Sequence, residues 1–301
     1  MKKIISTSLI LLLGFTIASA QIKLSFNPQK GAKYEYQTEM IQISKNAAMG
    51  QEMTSETEIS MKYLMEVVEK SSEEIQTVFT YQDISYIITS PMMKMGYDSK
   101  NPIENPSDMD KILEQIFSTL IGKPFTLTIA PDGSVKSVTG MDAIAESMSQ
   151  SVGNDQIAAQ LTVAIKQQFS EDAIKGMFEQ SLKIYPDNAV KVGNSWNVNN
   201  VFEISGMGTN TKTKYTLKAV KKDMADIAVE STLDLKPGAG MPGAEGLLTG
   251  TQNGSMVVEI KTGMPVSSDL TQIVKGSLKM QGIDILMDMT TKSKMSTKEV
   301  K

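Results

Sequence analysis

Methionine carries the densest candidate chemistry in this 301-residue chain: there are 22, and two groups of them sit close enough to share a ligand. Met92-Met93-Lys94-Met95 and Met287-Asp288-Met289 have the Met-x-Met spacing with which soft thioethers hold copper(I). Against this, most methionines fall on the apolar side of an alternating pattern, where an unbranched, polarizable side chain fills irregular gaps in a core. Exported copper sites also commonly recruit histidine, and this chain has none. Packing accounts for more of the methionines than metal binding does.

The other reactive groups are sparse. Asp108 and Asp110 follow Ser107, where acids in a first turn stabilise a helix N-terminus. A glycosidase needs two carboxylates converging in a cleft, and no spacing here imposes one. The absence of histidine removes the usual general base, the partner of a serine nucleophile and the commonest zinc ligand. No serine has a lysine three residues on, so the Ser-x-x-Lys arrangement is missing too. With no cysteine, stability rests on the core alone. These residues point to no enzyme activity, no metal site and no cofactor.

Two loops remain as candidates for binding. Segment 236–254 holds six glycines, among them Gly238, Gly240, Gly243 and Gly246, but lacks the Gly-Lys-Ser/Thr ending of a phosphate loop. It reads as a flexible connection on which Met241, Leu247 and Leu248 are apolar residues. Segment 90–106, punctuated by Pro91, Pro102 and Pro106, carries Met92, Met93 and Met95 in the same way. Two apolar loops on a curved sheet would close over an apolar ligand, so these six residues form the candidate site.

The elements that would position them are mostly strands. Tyr34, Tyr36 and Met40 share one side of a period-two pattern, as do Ile59, Met61, Tyr63, Met65 and Val67, with charged residues opposite. Ile75 to Tyr81, Phe125 to Ile129, Ile227 to Leu235 and Ile283 to Met289 continue it, giving about ten strands. Several exceed the usual five or six residues, and long strands with one apolar side imply a strongly curved sheet. Ala130-Pro131-Asp132-Gly133 is a turn. Between the strand-rich parts lie helices. Ser107 caps one bearing Ile112, Leu113, Ile116, Phe117 and Leu120, with Gly122 beyond its end. Ile157, Leu161, Ile165 and Phe169 recur every four residues, and Ser170 caps a further helix bearing Ile174, Met177, Phe178 and Leu182. These stripes are expected to dock on the sheet.

The chain begins as an exported protein does. Lys2 and Lys3 precede an apolar run over 4–17, and Ala18-Ser19-Ala20 supplies the small residues of a cleavage site. The run is short for a membrane span. Without Lys2 and Lys3, 28 basic residues face 34 acidic ones, a net charge of −6. An acidic balance argues against a phosphate-tracking nucleic-acid binder. The expectation is a protein of the periplasm or the exterior, not integral to a membrane, whose partner is an apolar small molecule or lipid, or another envelope protein.

The two strand-rich parts look related. Gly31-Ala32-Lys33-Tyr34 and Gly193-Asn194-Ser195-Trp196 open them, 162 residues apart, while Tyr63 with Tyr215 and Glu74 with Asp226 are 152 apart. This reads as a divergent tandem duplication.

Several of these features together resemble a known family. The N-terminal leader, the early Gly-x-x-Tyr, the strand-turn-strand from Phe125 to Val138 with Pro131-Asp132-Gly133, Gly140-Met141-Asp142, and Tyr185-Pro186 before Gly193-Asn194-Ser195-Trp196 are similar to the exported bacterial domain-of-unknown-function family numbered 6263. The resemblance implies export and a β-rich fold, and its motifs are turns and strand starts that supply no activity. More loosely, a curved antiparallel sheet with helices in its concavity is similar to the half-barrels of periplasmic lipoprotein carriers.

The expected fold is therefore α+β: long, curved antiparallel sheet in tandem half-barrel-like units with a central helical insert. Its parts would be a leader over 1–20, a first β-rich unit with one helix over 21–140, a helical segment over 141–186 and a second β-rich unit over 187–301. Intact-mass analysis of the exported protein should find Gln21 at the N-terminus; a mature chain that retains residues 1–20 would overturn the cleavage.

Overall fold

Alternation of period two becomes strand wherever one side can be buried. The computed structural model describes residues 21–152, 156–204, 206–238, 241 and 243–300, and within them all side chains but those of 156–161 and 204. The expected leader, its cleavage point at Ala20, and Gly240 lie outside the described residues. The strands are β1 (Lys33–Ala48), β2 (Gln51–Lys70), β3 (Ile75–Thr89), β4 (Lys94–Asp98), β5 (Pro124–Ile129) and β6 (Val135–Thr139), then β7 (Ser195–Ile204), β8 (Met207–Lys221), β9 (Met224–Pro237), β10 (Glu245–Glu259), β11 (Pro265–Met280) and β12 (Ile283–Val300). The helices are α1 (Asp108–Ser118), α2 (Met141–Ser151), α3 (Gln156–Gln168) and α4 (Glu171–Leu182).

The strands form one antiparallel, unclosed sheet in the order β6-β5-β3-β2-β1-β12-β11-β10-β9-β8-β7, with β4 added beside β3. First and last strands lie side by side in its middle, paired from Lys33 with Val300 to Ala48 with Ile285. Two expected loops are strand instead. Residues 94–98 of the 90–106 segment are β4, and β10 takes up much of the glycine-rich segment. The physical reason is close approach: a Cβ at Gly246, Gly250 or Gly254 would collide with the carbonyls of Ser277, Ile273 and Asp269 on β11. Glycine lets the two backbones come together, so the segment pairs rather than hanging free.

The helices do dock on the sheet. Both expected caps form: Ser107 Oγ accepts from Asp110 N–H at 3.2 Å, and Ser170 Oγ from Ala173 N–H at 3.2 Å. Asp110 closes a capping box by accepting from Ser107 N–H and also accepts from Gly96 N–H at 2.7 Å, which ties α1 to β4. Phe117 of α1 then packs on Tyr86 and Tyr97. α4 contacts β6 and β7, the two edges of the sheet. Its Phe178 lies 4.7 Å from Phe79, 6.0 Å from Phe125 and 6.5 Å from Tyr63, ring centre to ring centre. Tyr36 stacks on Tyr63 at 4.9 Å and Phe79 on Phe125 at 5.6 Å, completing an aromatic core inside the curve.

One end of the wrapped sheet is shut by residues 22–27. Ile22 and Val190 exchange both backbone hydrogen bonds, Phe26 N–H donates to Pro131 C=O and Asn27 N–H to Thr262 C=O. Leu24 and Phe26 are buried by this strap. Nearby, the Tyr185 hydroxyl donates to Gly263 C=O at 2.6 Å and Trp196 Nε1 to Ile184 C=O at 2.8 Å.

The two strand openings share a hydrogen-bond pattern. Gly31 N–H donates to Val67 C=O and Val67 N–H to Ala32 C=O; Gly193 N–H donates to Leu217 C=O and Leu217 N–H to Asn194 C=O. Register then matches Lys70–Ile75 with Val220–Ala225, and Met65–Phe79 with Tyr215–Val229, at a constant separation of 150. The separation of 152 expected for Tyr63 and Tyr215 is therefore two residues off, a shift that an alternating pattern cannot detect.

The core generates two expectations. Truncation of Phe178 to Ala should cost about 3–5 kcal/mol in denaturant unfolding, since it empties the contact between helix and sheet; a loss below 1 kcal/mol would mean α4 is not what fills the core. Burial pushes the Tyr81 and Tyr215 hydroxyls up to about 12. In the unfolded chain they ionise near 10, so above pH 10 the unfolded state binds fewer protons and folding weakens. Each should remove about 1.4 kcal/mol per pH unit between pH 10 and 12, read by denaturation at fixed pH; stability that is flat across that interval would contradict their burial.

Candidate functional site

The strands are longer than the core they enclose. β1, β2, β3 and β8 to β12 continue past the aromatic cluster to an open end marked by the β1–β2, β3–β4, β7–β8, β9–β10 and β11–β12 connections. The register identifies which side chains share the inner face there, because Tyr36 and Tyr63 face the core and every second residue follows them. The inner side of this open half is lined by methionine, leucine, isoleucine, valine, alanine, glycine, threonine, serine, asparagine and glutamine, with no lysine, aspartate or glutamate among the described residues.

The polar residues are ordered. Thr57, Gln42, Thr291, Gln272, Gln252, Ser231 and Thr213 are register partners on seven successive strands, β2-β1-β12-β11-β10-β9-β8. They form a belt across the inner face. Below it lies the aromatic core. Above it Met207, Leu248, Val274 and Leu278 make a second buried cluster, against which Leu235, Met241, Met287 and Met289 pack. The belt separates the two because polar side chains interrupt the apolar rows on every strand at one level.

Its hydrogen bonding is incomplete. Thr213 and Ser231 hydroxyls meet at 2.9 Å, Thr291 Oγ1 donates to Gln42 Oε1 at 3.3 Å, and Gln42 Nε2 donates to Ser44 Oγ at 3.1 Å. Gln252 and Gln272, adjacent in the middle of the belt, have no side-chain hydrogen bond to a described residue. One row nearer the mouth, Thr211 Oγ1 is buried with no partner, and one row further on so is Asn46 Oδ1. A buried polar atom left without any partner costs about 1–3 kcal/mol.

The two ends differ in chemistry. At the shut end the connections are polar: residues 71–74, 131–133, 221–223 and 261–263. At the open end Met49 is 83% exposed and Met92 88%, with Met53, Met93, Met280 and Ile283 also exposed. The outer side carries ion pairs, Lys62 and Lys298 on Glu35 at 2.7 and 2.8 Å and Lys275 on Asp288 at 2.8 Å. Hydrogen bonds from Lys298 and Lys62 hold the Glu35 carboxyl below its usual range. No group of three or more His, Cys, Asp or Glu side chains suited to a metal ion occurs among the described residues.

The six expected site residues divide. Met241 and Leu248 do meet, in the second cluster. Leu247 is on the outer side of β10, half-exposed, since neighbours along a strand point oppositely. Met92 and Met93 sit at the exposed β3–β4 tip, and Met95 lies half-buried in β4 opposite Ile88. The Met287-Asp288-Met289 run puts both methionines into the second cluster and Asp288 outside. The belt was missed in the sequence. Its signal is a polar residue at the inward parity of a long strand, as with Gln42 between Met40 and Ser44, but only register lines the seven up.

A family described as a family of unknown function (DUF6263) matches residues 72–265, and the chain belongs to it. No curated protein matches in sequence. Among solved structures, a lipovitellin described for its lipid–protein interactions is similar at 14% identity and a TM-score of 0.49, over 90% of this chain and 25% of that one. This chain thus spans a quarter of that protein's length. An outer membrane channel from Pseudomonas putida F1 is similar at 7% identity and a TM-score of 0.26, over 91% and 98%. Salmonella typhi OmpF in complex with daunomycin is similar at 7% identity and 0.23, over 87% and 98%. None of these likenesses bears on the site.

Proposed function

We propose that this DUF6263 protein is an exported, non-enzymatic binding module that holds an apolar small molecule or lipid against the inner face of its open half. The observation that carries this reading is the length of the strands beyond the aromatic core. Their inner side offers Met53, Leu235, Leu248, Leu278, Met287 and Met289 with no helix packed over them, and exposed methionines ring the end through which a ligand would enter. Thioether side chains adapt to ligands of varied shape. Binding sites of this kind are concave, mainly apolar and furnished with a few polar groups. Helix contacts with the sheet fall chiefly on β4, β6 and β7, and no helix residue joins the second cluster, so a ligand would enter by displacing the side chains that close over Leu248 and Leu278.

The two strand sets are read as related half-barrels that share the ligand face. The matched hydrogen bonds at Gly31 and Gly193 and the constant separation of 150 support that reading. The second functional reading is a protein-interaction module of the cell envelope. It is favoured by an outer surface on which Ile41, Ile43, Ile273 and Leu286 are exposed.

Native mass spectrometry of the mature protein purified from its own envelope, followed by lipid extraction, separates the two. A stoichiometric co-purifying lipid, with uptake of a hydrophobic fluorophore by the stripped protein, is the expected result. A clean apo mass without fluorophore uptake would overturn the carrier and favour the interaction module.

A further inference from the structure

The inner face of the open half has a chemical bias beyond being apolar. It supplies hydrogen bonds and no charge. Seven successive strands each place one neutral polar side chain at the same level, and lysine, aspartate and glutamate are confined to the outer side. An anion drawn into this face would lose its hydration with no cation to receive it, a penalty of several kcal/mol. An amide, ester or hydroxyl would meet uncharged donors and acceptors able to pair with it. Gln252 and Gln272 each present a half-buried amide with two donors and an acceptor. Thr211 Oγ1, on a residue 3% exposed, and Asn46 Oδ1 are buried and unpartnered.

The position of the belt limits the shape of the ligand as well. Eight residues along β11 separate Gln272 from Met280 at the rim, about 27 Å of extended strand. The rows between carry Val274, Leu278, Leu248, Met287 and Met289. A molecule that parts this cluster would have its polar group deep, at the belt, and its hydrocarbon part towards the mouth.

We propose that the open half selects a neutral, hydrogen-bonding lipid such as an acylglycerol, with its ester or hydroxyl group on the Gln252–Gln272 belt, and discriminates against free fatty acids. This rests on the binding role assigned above to the same face. A neutral lipid satisfies the belt without adding charge, whereas a carboxylate on the same chain leaves a buried anion.

The test compares two probes with the same acyl chain, monoolein and oleate, at pH 8 and below the concentrations at which either aggregates. Each competes with a hydrophobic fluorophore bound to the mature, delipidated protein. Monoolein should displace the fluorophore at a concentration at least about tenfold lower than oleate, equivalent to about 1.4 kcal/mol. In Gln272→Lys the preference should narrow or reverse, because the new ammonium receives the carboxylate. In Gln252→Leu/Gln272→Leu the monoolein advantage should fall towards parity, with fluorophore uptake retained as evidence of folding. Equal or tighter binding of oleate by the unaltered protein would overturn the selectivity and leave the binding role standing. A full monoolein preference in the Gln252→Leu/Gln272→Leu variant would overturn the assignment to the belt. Absence of fluorophore uptake by the unaltered protein would remove the binding role itself.

Discussion

Two bare edges govern this fold. A sheet that runs from β6 to β7 without closing leaves a row of unpaired backbone groups at each end, and such edges recruit other chains unless they are covered. One helix, α4, lies against both. Phe178 anchors it in the ring cluster of Tyr63, Phe79 and Phe125, and Gly176 leaves room for Phe202 of β7, whose side chain a Cβ would crowd. The same contact therefore covers the edges, fills the core and sets how tightly the sheet curls. The strap over residues 22–27 depends on it too, because its partners at Pro131 and Val190 stand on the β6 and β7 sides of the gap.

The open half follows from a mismatch in length. α4 has 12 residues, about 18 Å of helix at 1.5 Å per residue. β2 and β12 have 20 and 18, which at about 3.3 Å per residue makes them several times as long as the plug they surround. The sheet must extend beyond its packing partner. What lines the excess closes into a second, smaller cluster around Leu248, Val274 and Leu278, and there the inner face turns to methionine, threonine and glutamine. Buried hydroxyls at that level are costly unless paired, and Thr213 and Ser231, both buried, pair with each other at 2.9 Å.

The alternation in Ile59 to Val67 and Ile283 to Met289 was legible, as were Ser107 and Ser170 as helix caps and the docking of helices on a curved sheet. Those features depend on residues a few positions apart, so their periods show in the chain. The glycine-rich segment was misread for an equally local reason. Glycine signals freedom when only neighbours are considered, while Gly246, Gly250 and Gly254 serve here to admit the backbone of β11. The strand at 94–98 was hidden in a proline-punctuated stretch, and pairing with β3 makes it a strand.

By itself the sequence determined the β-rich class, the inward parity of the alternating strands and the helix starts, because composition and short-range periodicity encode them. Tertiary structure alone decided that β1 and β12 pair in the centre, that α4 closes the gap between the edges, and that Thr57, Gln42, Thr291, Gln272, Gln252, Ser231 and Thr213 stand in one row. Registers between strands as far apart in sequence as β1 and β12 are set by the packing of the whole sheet. A slip of two residues preserves every inward side chain and would dissolve the belt.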